Sequence, residues 1–201
     1  MTRTRCPEGV PTAVVAEYYR RRAAAHAATA HDREALLASF SRAAAEAKAT
    51  GFDGIELHAA HGYLLDSFLR TGDVGYVQTI VAETRRQVGP DFPLILRFST
   101  WTVTDYAARY IASPSHLAQL LEALASAGVD VFHPSVRRYW EPAFPGEVGT
   151  LAGWTRKLSG LPVIAVGSIG LETSQYSGSG PASLASLYQN YDHGDFDYAA
   201  V

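Results

Sequence analysis

The chain has 201 residues, 47% of them hydrophobic and 18% charged, a balance that excludes intrinsic disorder and indicates a packed core. The formal net charge of −3 gives no general attraction to nucleic acid or acidic membranes. Cys6 is the only cysteine, so no internal disulfide can form, and no apolar run or signal-peptide pattern indicates a membrane span or export. These features predict a cytoplasmic protein.

Short apolar segments recur along the chain, with starts roughly 32 to 38 residues apart, the spacing of a strand, a crossover helix and two loops. Two of them are almost continuously apolar, as in parallel strands that are covered on both faces. The five predicted strands lie at 54–58, 92–98, 129–132, 161–166 and 196–201.

Helix signals separate these segments. Ser113 and Pro114 form a cap followed by proline at the first helical position, and Asp32 is a second predicted cap. The apolar positions that follow these signals, or precede Gly89, repeat at the helical period. They are Leu36, Leu37, Phe40, Ala43, Ala44 and Ala47; Ile80, Val81, Thr84 and Val88; and Leu117, Leu120, Leu121 and Leu124.

Regular alternation of strands and helices predicts a parallel α/β fold, either a barrel or an open sheet. A closed barrel needs eight strands, and only five are recognisable. No strand separates the helical segments at 13–25 and 33–49. We therefore expect a spatial break or a non-barrel connection near 25–30, and another near 69–76.

The most informative residues follow the first predicted strand. His58, His61 and Tyr63 lie at its carboxyl end and in the next loop, the side on which α/β barrels carry their chemistry. Two imidazoles can converge on one carbonyl or enolate oxygen, and a phenol that is protonated at neutral pH can donate a proton. Spacing alone leaves open whether they are ordinary loop residues, because His-x-x-His is a weak signal.

A metal-dependent hydrolase is an alternative interpretation of the same segment. Glu56, His58 and His61 are all metal-ligand types, and metal-dependent hydrolases also use barrels. The His-Glu-x-x-His pattern is absent, and Asp130 lies at a strand start, on the opposite side. No metal ligand is therefore assigned.

The segment from Gly51 to Leu65 reads Gly-Phe-Asp-Gly-Ile-Glu-Leu-His-Ala-Ala-His-Gly-Tyr-Leu-Leu. It resembles the signature of the NADH:flavin oxidoreductase/old yellow enzyme family, which implies a (β/α)8 TIM barrel that binds FMN. In that family two such histidine positions hold the substrate's carbonyl oxygen and the tyrosine donates a proton. The resemblance assigns these roles to His58, His61 and Tyr63.

Further segments match the family in the same order. Thr2 corresponds to the threonine that approaches the flavin carbonyl edge, and Arg97 to the arginine at the flavin N1/O2 edge. Such a guanidinium would stabilise an anionic reduced flavin. Gly167 and Ser168 correspond to a turn whose backbone N–H groups help to bind the phosphate.

The resemblance is incomplete. Two family strands have no counterpart near 25–26, a loop is shortened to Arg70-Thr71-Gly72-Asp73, and the Gly-Arg pair that binds the FMN phosphate would follow Val201. We therefore expect weak FMN binding, and a truncated, non-catalytic remnant is a second alternative. The interpretation adopted is a single, partial barrel domain over 1–201. It would pass hydride from NAD(P)H through FMN to a carbonyl-conjugated alkene, a small-molecule substrate, and a homo-oligomer is compatible with it.

Overall fold

The computed structural model describes residues 30–170 and 184–201, and in these ranges strands alternate with helices. The strands pair only in parallel, in the sequential order β1-β2-β3-β4-β5, with β1 and β5 at the edges. All five predicted strands are confirmed, each starting one to three residues later than expected. They are β1 (Ile55–His61), β2 (Leu94–Thr102), β3 (Val131–Ser135), β4 (Ile164–Val166) and β5 (Tyr198–Ala200).

Helices connect successive strands, and β1 is joined to β2 by two of them. The helices are α1 (Ala30–Ala49), α2 (Leu64–Arg70), α3 (Val74–Val88), α4 (Pro114–Ser126), α5 (Leu151–Ser159) and α6 (Leu184–Asp192). Because crossovers between parallel neighbours are right-handed, a sequential strand order places the helices on one face of the sheet. The described strands thus form an open α/β unit with the strand order of a barrel.

The predicted cap of α4 is confirmed. The side chain of Ser113 accepts a hydrogen bond of 3.2 Å from the backbone N–H of His116, and Pro114 occupies the first turn. The four predicted leucines of α4 are all buried, as are the four predicted positions of α3. Periodicity therefore identified the packed sides of both helices.

Helix α1 differs from its prediction at the start. It begins at Ala30, so Asp32 lies in the first turn and is not the cap. An acidic side chain there still interacts favourably with the positive end of the helix dipole. Ala44 is buried, whereas Ala43 of the predicted stripe is exposed.

The two faces of the sheet differ in composition. Leu57, Leu96 and Phe98 lie on the face that the helices cover, and all are within the main hydrophobic core. Neighbouring positions such as His58 and Arg97 point to the opposite face, which we call the open face, and are not buried. Alternation along each strand thus separates the core from a polar surface.

The predicted interruptions have different outcomes. From Leu69 to Tyr76 the chain is unbroken, and a tight turn at Thr71 and Gly72 leads from α2 directly into α3. Of the two expected possibilities, a spatial break or a non-barrel connection, the chain shows no break there, and the connection is a pair of helices. Of the segment 25–30, only residue 30 is described. No helix among the described residues is long and apolar enough to cross a membrane.

Candidate active site

A β-bulge places both histidines of the motif on the open face. Residues three apart in a regular strand point to opposite faces, which would separate His58 from His61. The pairing of β1 with β2 shifts register between Ala59 and His61, and Ala59 and Ala60 are both fully buried. This extra residue returns His61 to the side of His58. His61 itself has a positive φ of 64°, an uncommon conformation for a residue with a side chain.

The three motif residues converge. The ring centroid of His58 lies 5.3 Å from that of His61 and 5.1 Å from that of Tyr63. Tyr63 is 39% exposed, so its phenol remains accessible from outside the protein. The structure therefore brings together two imidazoles and one phenol at the carboxyl end of β1.

Hydrogen bonds fix the orientation of His61. Its Nε2 lies 2.8 Å from Ser135 Oγ, which also accepts a bond of 3.1 Å from Arg97 Nη2. Because arginine can only donate, the serine proton is available to Nε2, and we assign the His61 proton to Nδ1. The ring of His61 also stacks on Trp101, with centroids 4.4 Å apart.

Both motif histidines are held in the neutral state. Burial, followed by the positive charge of Arg97, lowers the pKa of His61 to about 4. The same two causes lower the pKa of His58, although the carboxylate of Glu56 opposes them. At neutral pH each ring therefore presents one N–H donor without a charge, which suits polarisation of a carbonyl rather than proton transfer to it.

The loop after β1 is locked by a buried carboxylate. Asp66 in α2 is fully buried and accepts bonds of 2.6 Å from both Gly62 N and Arg70 Nε. Arg70 also donates to the carbonyl of Trp101 at 2.8 Å, which ties α2 to the end of β2. Burial raises the pKa of Asp66 even though Arg70 acts against it. This lock holds the segment that carries His61 and Tyr63.

Arg97 lies between histidines in the sheet, because it pairs in register with His58 on one side and His133 on the other. Its Nε is buried and has no hydrogen-bond partner among the described residues. His133 Nδ1 donates to Glu56 at 2.6 Å. Burial raises the pKa of Glu56, but the hydrogen bond and charge of His133 outweigh this, and the net pKa is lowered.

The alternative of a metal centre has no ligand set here. Glu56 is directed to His133 rather than to the two motif histidines. Within 30–170 and 184–201, no group of three His, Cys, Asp or Glu side chains is arranged to hold a metal ion. Glu56, His58 and His61 therefore do not form a combined ligand site in this structure.

The turn after β4 is built on close backbone contacts. A Cβ on Gly167 would lie 2.7 Å from the carbonyl oxygen of Val136, so a larger residue does not fit. The Ser168 hydroxyl donates to the carbonyl of Arg137 at 2.8 Å, and Ser168 has a positive φ of 54°. Both residues lie at the carboxyl end of the sheet, as predicted. Thr2 lies outside the described residues.

Several residues of the site were missed by the sequence reasoning. Trp101 and Ser135 contact His61, and His133 joins Arg97 to Glu56. Trp101 lies beyond the predicted end of its strand, which in the structure extends to Thr102. His133 is the register partner of Arg97. Its only sequence signal was that it directly follows the predicted strand at 129–132.

A parallel α/β unit of barrel type, with its polar cluster at the carboxyl ends of the strands, is the architecture of a barrel enzyme. The sequence matches the NADH:flavin oxidoreductase / NADH oxidase family over residues 2–186, and the chain belongs to this family. FMN is the cofactor of the family, with NAD(P)H as reductant.

Two relatives agree with this assignment, and two solved structures share the fold. An NADPH dehydrogenase of Listeria monocytogenes is 34% identical over 152 residues, covering 69% of this chain and 43% of that protein. A NADH oxidase of Thermoanaerobacter brockii is 31% identical over 163 residues, covering 70% of this chain and 24% of that protein. The old yellow enzyme homologue of Zymomonas mobilis superposes with a TM-score of 0.60 at 15% identity, over 86% of this chain and 48% of that one. Morphinone reductase superposes with a TM-score of 0.58 at 16% identity, over 86% of this chain and 46% of that one.

The chain therefore spans less than half the length of these relatives. The structural neighbours establish the TIM-barrel family fold, of which the five described strands form a part.

Proposed function

We propose that this chain is the flavin-binding part of an NAD(P)H-dependent oxidoreductase that reduces carbonyl-conjugated alkenes. The observation that carries the proposal is the convergence of His58, His61 and Tyr63 beside Arg97. We further propose that 1–201 belong to a single barrel domain. When bound and reduced by NAD(P)H, FMN would supply the hydride for the β-carbon of the alkene.

The two histidines bind the carbonyl oxygen of the substrate. As neutral rings they donate N–H bonds, and these bonds strengthen as negative charge develops on the oxygen. Tyr63, a residue that is 39% exposed and lies beside His58, donates the proton to the α-carbon. Hydride and proton together saturate the double bond, so that NAD(P)H is oxidised and the alkene reduced.

The residues around Arg97 fit an anionic flavin edge. Its buried Nε lacks a partner in the described parts of the chain, and such a donor is costly to leave unpaired. An acceptor atom of FMN would satisfy it, and the guanidinium charge would stabilise the reduced, anionic ring. Gly167 and Ser168 would supply backbone N–H groups to the phosphate from the turn after β4.

Flavin binding by the chain is the direct test. FMN fluorescence is titrated with wild-type protein, with Arg97→Met and with Arg86→Met, a matched change at an exposed arginine of α3 that pairs with Glu83. Loss of a charge-assisted hydrogen bond should weaken binding by about ten- to a hundredfold in Arg97→Met alone. The protein with bound FMN should then reduce 2-cyclohexenone with NADPH.

A folded wild-type chain that binds no FMN would support the remnant alternative and overturn the proposal. Equal FMN affinity in Arg97→Met and Arg86→Met would remove Arg97 from the flavin site. Circular dichroism of all three proteins establishes that the fold is the same.

A further inference from the structure

Glu56 and His133 form a polar pair on the open face that the proposed function does not use. His133 Nδ1 on β3 donates to Glu56 Oε2 on β1 at 2.6 Å, and because β2 lies between these strands, the bond crosses it. His133 is 7% exposed, and the side chain of Glu56 is 32% exposed. A pair that is partly removed from water often adds little net stability, which favours a functional role for it.

The pair lies beside Arg97. His133 is the register partner of Arg97, and Glu56 pairs with Ile95, two residues earlier on the same face of β2. Burial raises the pKa of Glu56, whereas His133, Arg97 and His58 lower it, and the net effect is downward. Glu56 is therefore a carboxylate at neutral pH, and charged or titratable groups act on it from all three strands.

Glu56 brings a negative charge to a cluster of one arginine and several imidazoles. Burial lowers the pKa of His58, and the charges of Arg97 and His133 lower it further. Among the described residues that act on His58, Glu56 is the group that opposes this shift. The carboxylate therefore reduces the positive potential at the carboxyl end of β1 and β2.

The carboxylate balances Arg97 without contacting it directly. Arg97 Nη2 donates to the neutral hydroxyl of Ser135 at 3.1 Å, and no salt bridge joins Arg97 to a carboxylate within 30–170 and 184–201. The acceptor that could have paired with the guanidinium is bonded to His133 instead. The Nε donor of Arg97 is consequently left without a partner in those ranges.

We propose that Glu56, anchored by His133, is the counter-charge of Arg97 and limits how strongly this site favours reduced, anionic FMN over oxidised FMN. The inference rests on the proposed function for the flavin at Arg97. Glu56 and His133 act through Arg97, so they are positioning residues and not catalytic ones. A direct salt bridge would give the same charge balance but would occupy the donors that a ligand needs.

Glu56→Gln tests the counter-charge, because it keeps an acceptor for His133 and removes the charge. Glu122→Gln, at an exposed position of α4, is the matched control. In protein with bound FMN, Glu56→Gln should increase the affinity for reduced FMN relative to oxidised FMN by about three- to tenfold. A tenfold change raises the two-electron midpoint potential by about 30 mV, which a spectroelectrochemical titration measures. An unchanged or lowered potential, or an equal rise in Glu122→Gln, overturns the proposal.

A second measurement needs no flavin. Nuclear magnetic resonance titration of the imidazole signals should show a lower pKa for His58 in Glu56→Gln than in wild type or Glu122→Gln. An unchanged His58 pKa overturns the counter-charge whether or not FMN binds. A chain that shows this shift but binds no FMN would mean that the proposed function fails while the counter-charge stands.

The role of His133 as the anchor is tested by a double-mutant cycle. In the His133→Phe background the carboxylate can turn towards solvent, so the further change Glu56→Gln should shift the His58 pKa less than it does in wild type. Equal shifts in both backgrounds would show that His133 does not hold Glu56 in place. Circular dichroism of each variant establishes that the fold is the same.

Discussion

The two ends of the sheet use charged residues in opposite ways. At the amino ends of the strands, Asp130 accepts bonds from Arg85 and from Leu94 N, the latter at 2.8 Å. The arrangement is repeated by Asp197, which bonds Val163 N at 2.8 Å and Arg156 at 3.0 Å. In each case an aspartate just before one strand accepts a hydrogen bond from a backbone N–H at the start of the preceding strand. The same aspartate pairs with an arginine of a helix.

At the carboxyl ends, the charged and polar groups are only partly satisfied. Arg97 Nε and His133 Nε2 are buried and lack hydrogen-bond partners within the described ranges. Buried polar atoms are nearly always paired in native proteins, so unpaired ones need a separate reason. The comparison indicates that the amino ends stabilise the fold, whereas the carboxyl ends keep polar atoms available for a ligand. It predicts that substitutions at the two ends affect different measurements.

The largest effect should come from Tyr63→Phe, at the carboxyl end. In protein that binds FMN, loss of the proton donor should slow alkene reduction by about 10²–10⁴-fold. Reduction of the flavin by NADPH needs no such proton and should be unchanged. Stopped-flow absorbance measures the two half-reactions separately. Equal slowing of both, or of neither, would show that Tyr63 is not the donor.

Asp66→Ala tests the buried ion pair between Asp66 and Arg70, at the carboxyl end. It leaves Arg70 and Gly62 N without their partner, and breaking a buried pair costs about 3–5 kcal/mol of unfolding free energy. Urea denaturation measures the loss. Asp66→Asn keeps the shape and one acceptor oxygen, and should be less destabilising. If the alanine variant is as stable as wild type, Asp66 does not lock the loop.

Asp130→Ala should affect stability but not ligand binding. It leaves Leu94 N without its acceptor and removes one acceptor of Arg85, which keeps its bonds to the carbonyls of Gly128 and Phe92. The loss should be about 1–3 kcal/mol in urea denaturation. Asp197→Ala should behave alike, and Asp91→Ala, at an exposed position before β2, is the control. A loss of FMN affinity at constant stability would contradict the division between the two ends.

The smallest effect concerns pH. The pKa of His61 is about 4 in the folded chain, against 6.5 as its ordinary value, so between these values the unfolded chain binds more protons. Stability should therefore fall as pH decreases from about 6.5 to about 4. His61→Asn removes this titration and suits the positive φ. Across this pH window the variant should lose less unfolding free energy than wild type. The difference should be about 1 kcal/mol or less, because solvent screens the charge of a half-buried ring. An unchanged slope in thermal melts would show that other groups, such as His58, dominate.

The number and order of the five described strands, and the packed faces of α3 and α4, could be predicted from the sequence. Strand spacing indicated the five strands, and the leucines from Leu117 to Leu124 indicated the buried side of α4. These patterns are local, because burial on one face imposes a fixed period on the chain. The motif around His58 also indicated the site, and its resemblance indicated the family. Cap and strand limits were less accurate, as Asp32 and β2 demonstrate, because neighbouring contacts decide where an element ends.

The convergence of the site depended on tertiary structure. Alternation alone would have placed His58 and His61 on opposite faces, and only the pairing of β1 with β2 revealed the bulge that brings them together. The contacts of His61 with Ser135 and Trp101 join residues 74 and 40 positions apart, and no periodicity links such distant positions. The sequence thus determined which residue types reach the carboxyl ends of the strands. Strand register and loop packing decided which of them touch, because those contacts exist only once separate strands are aligned.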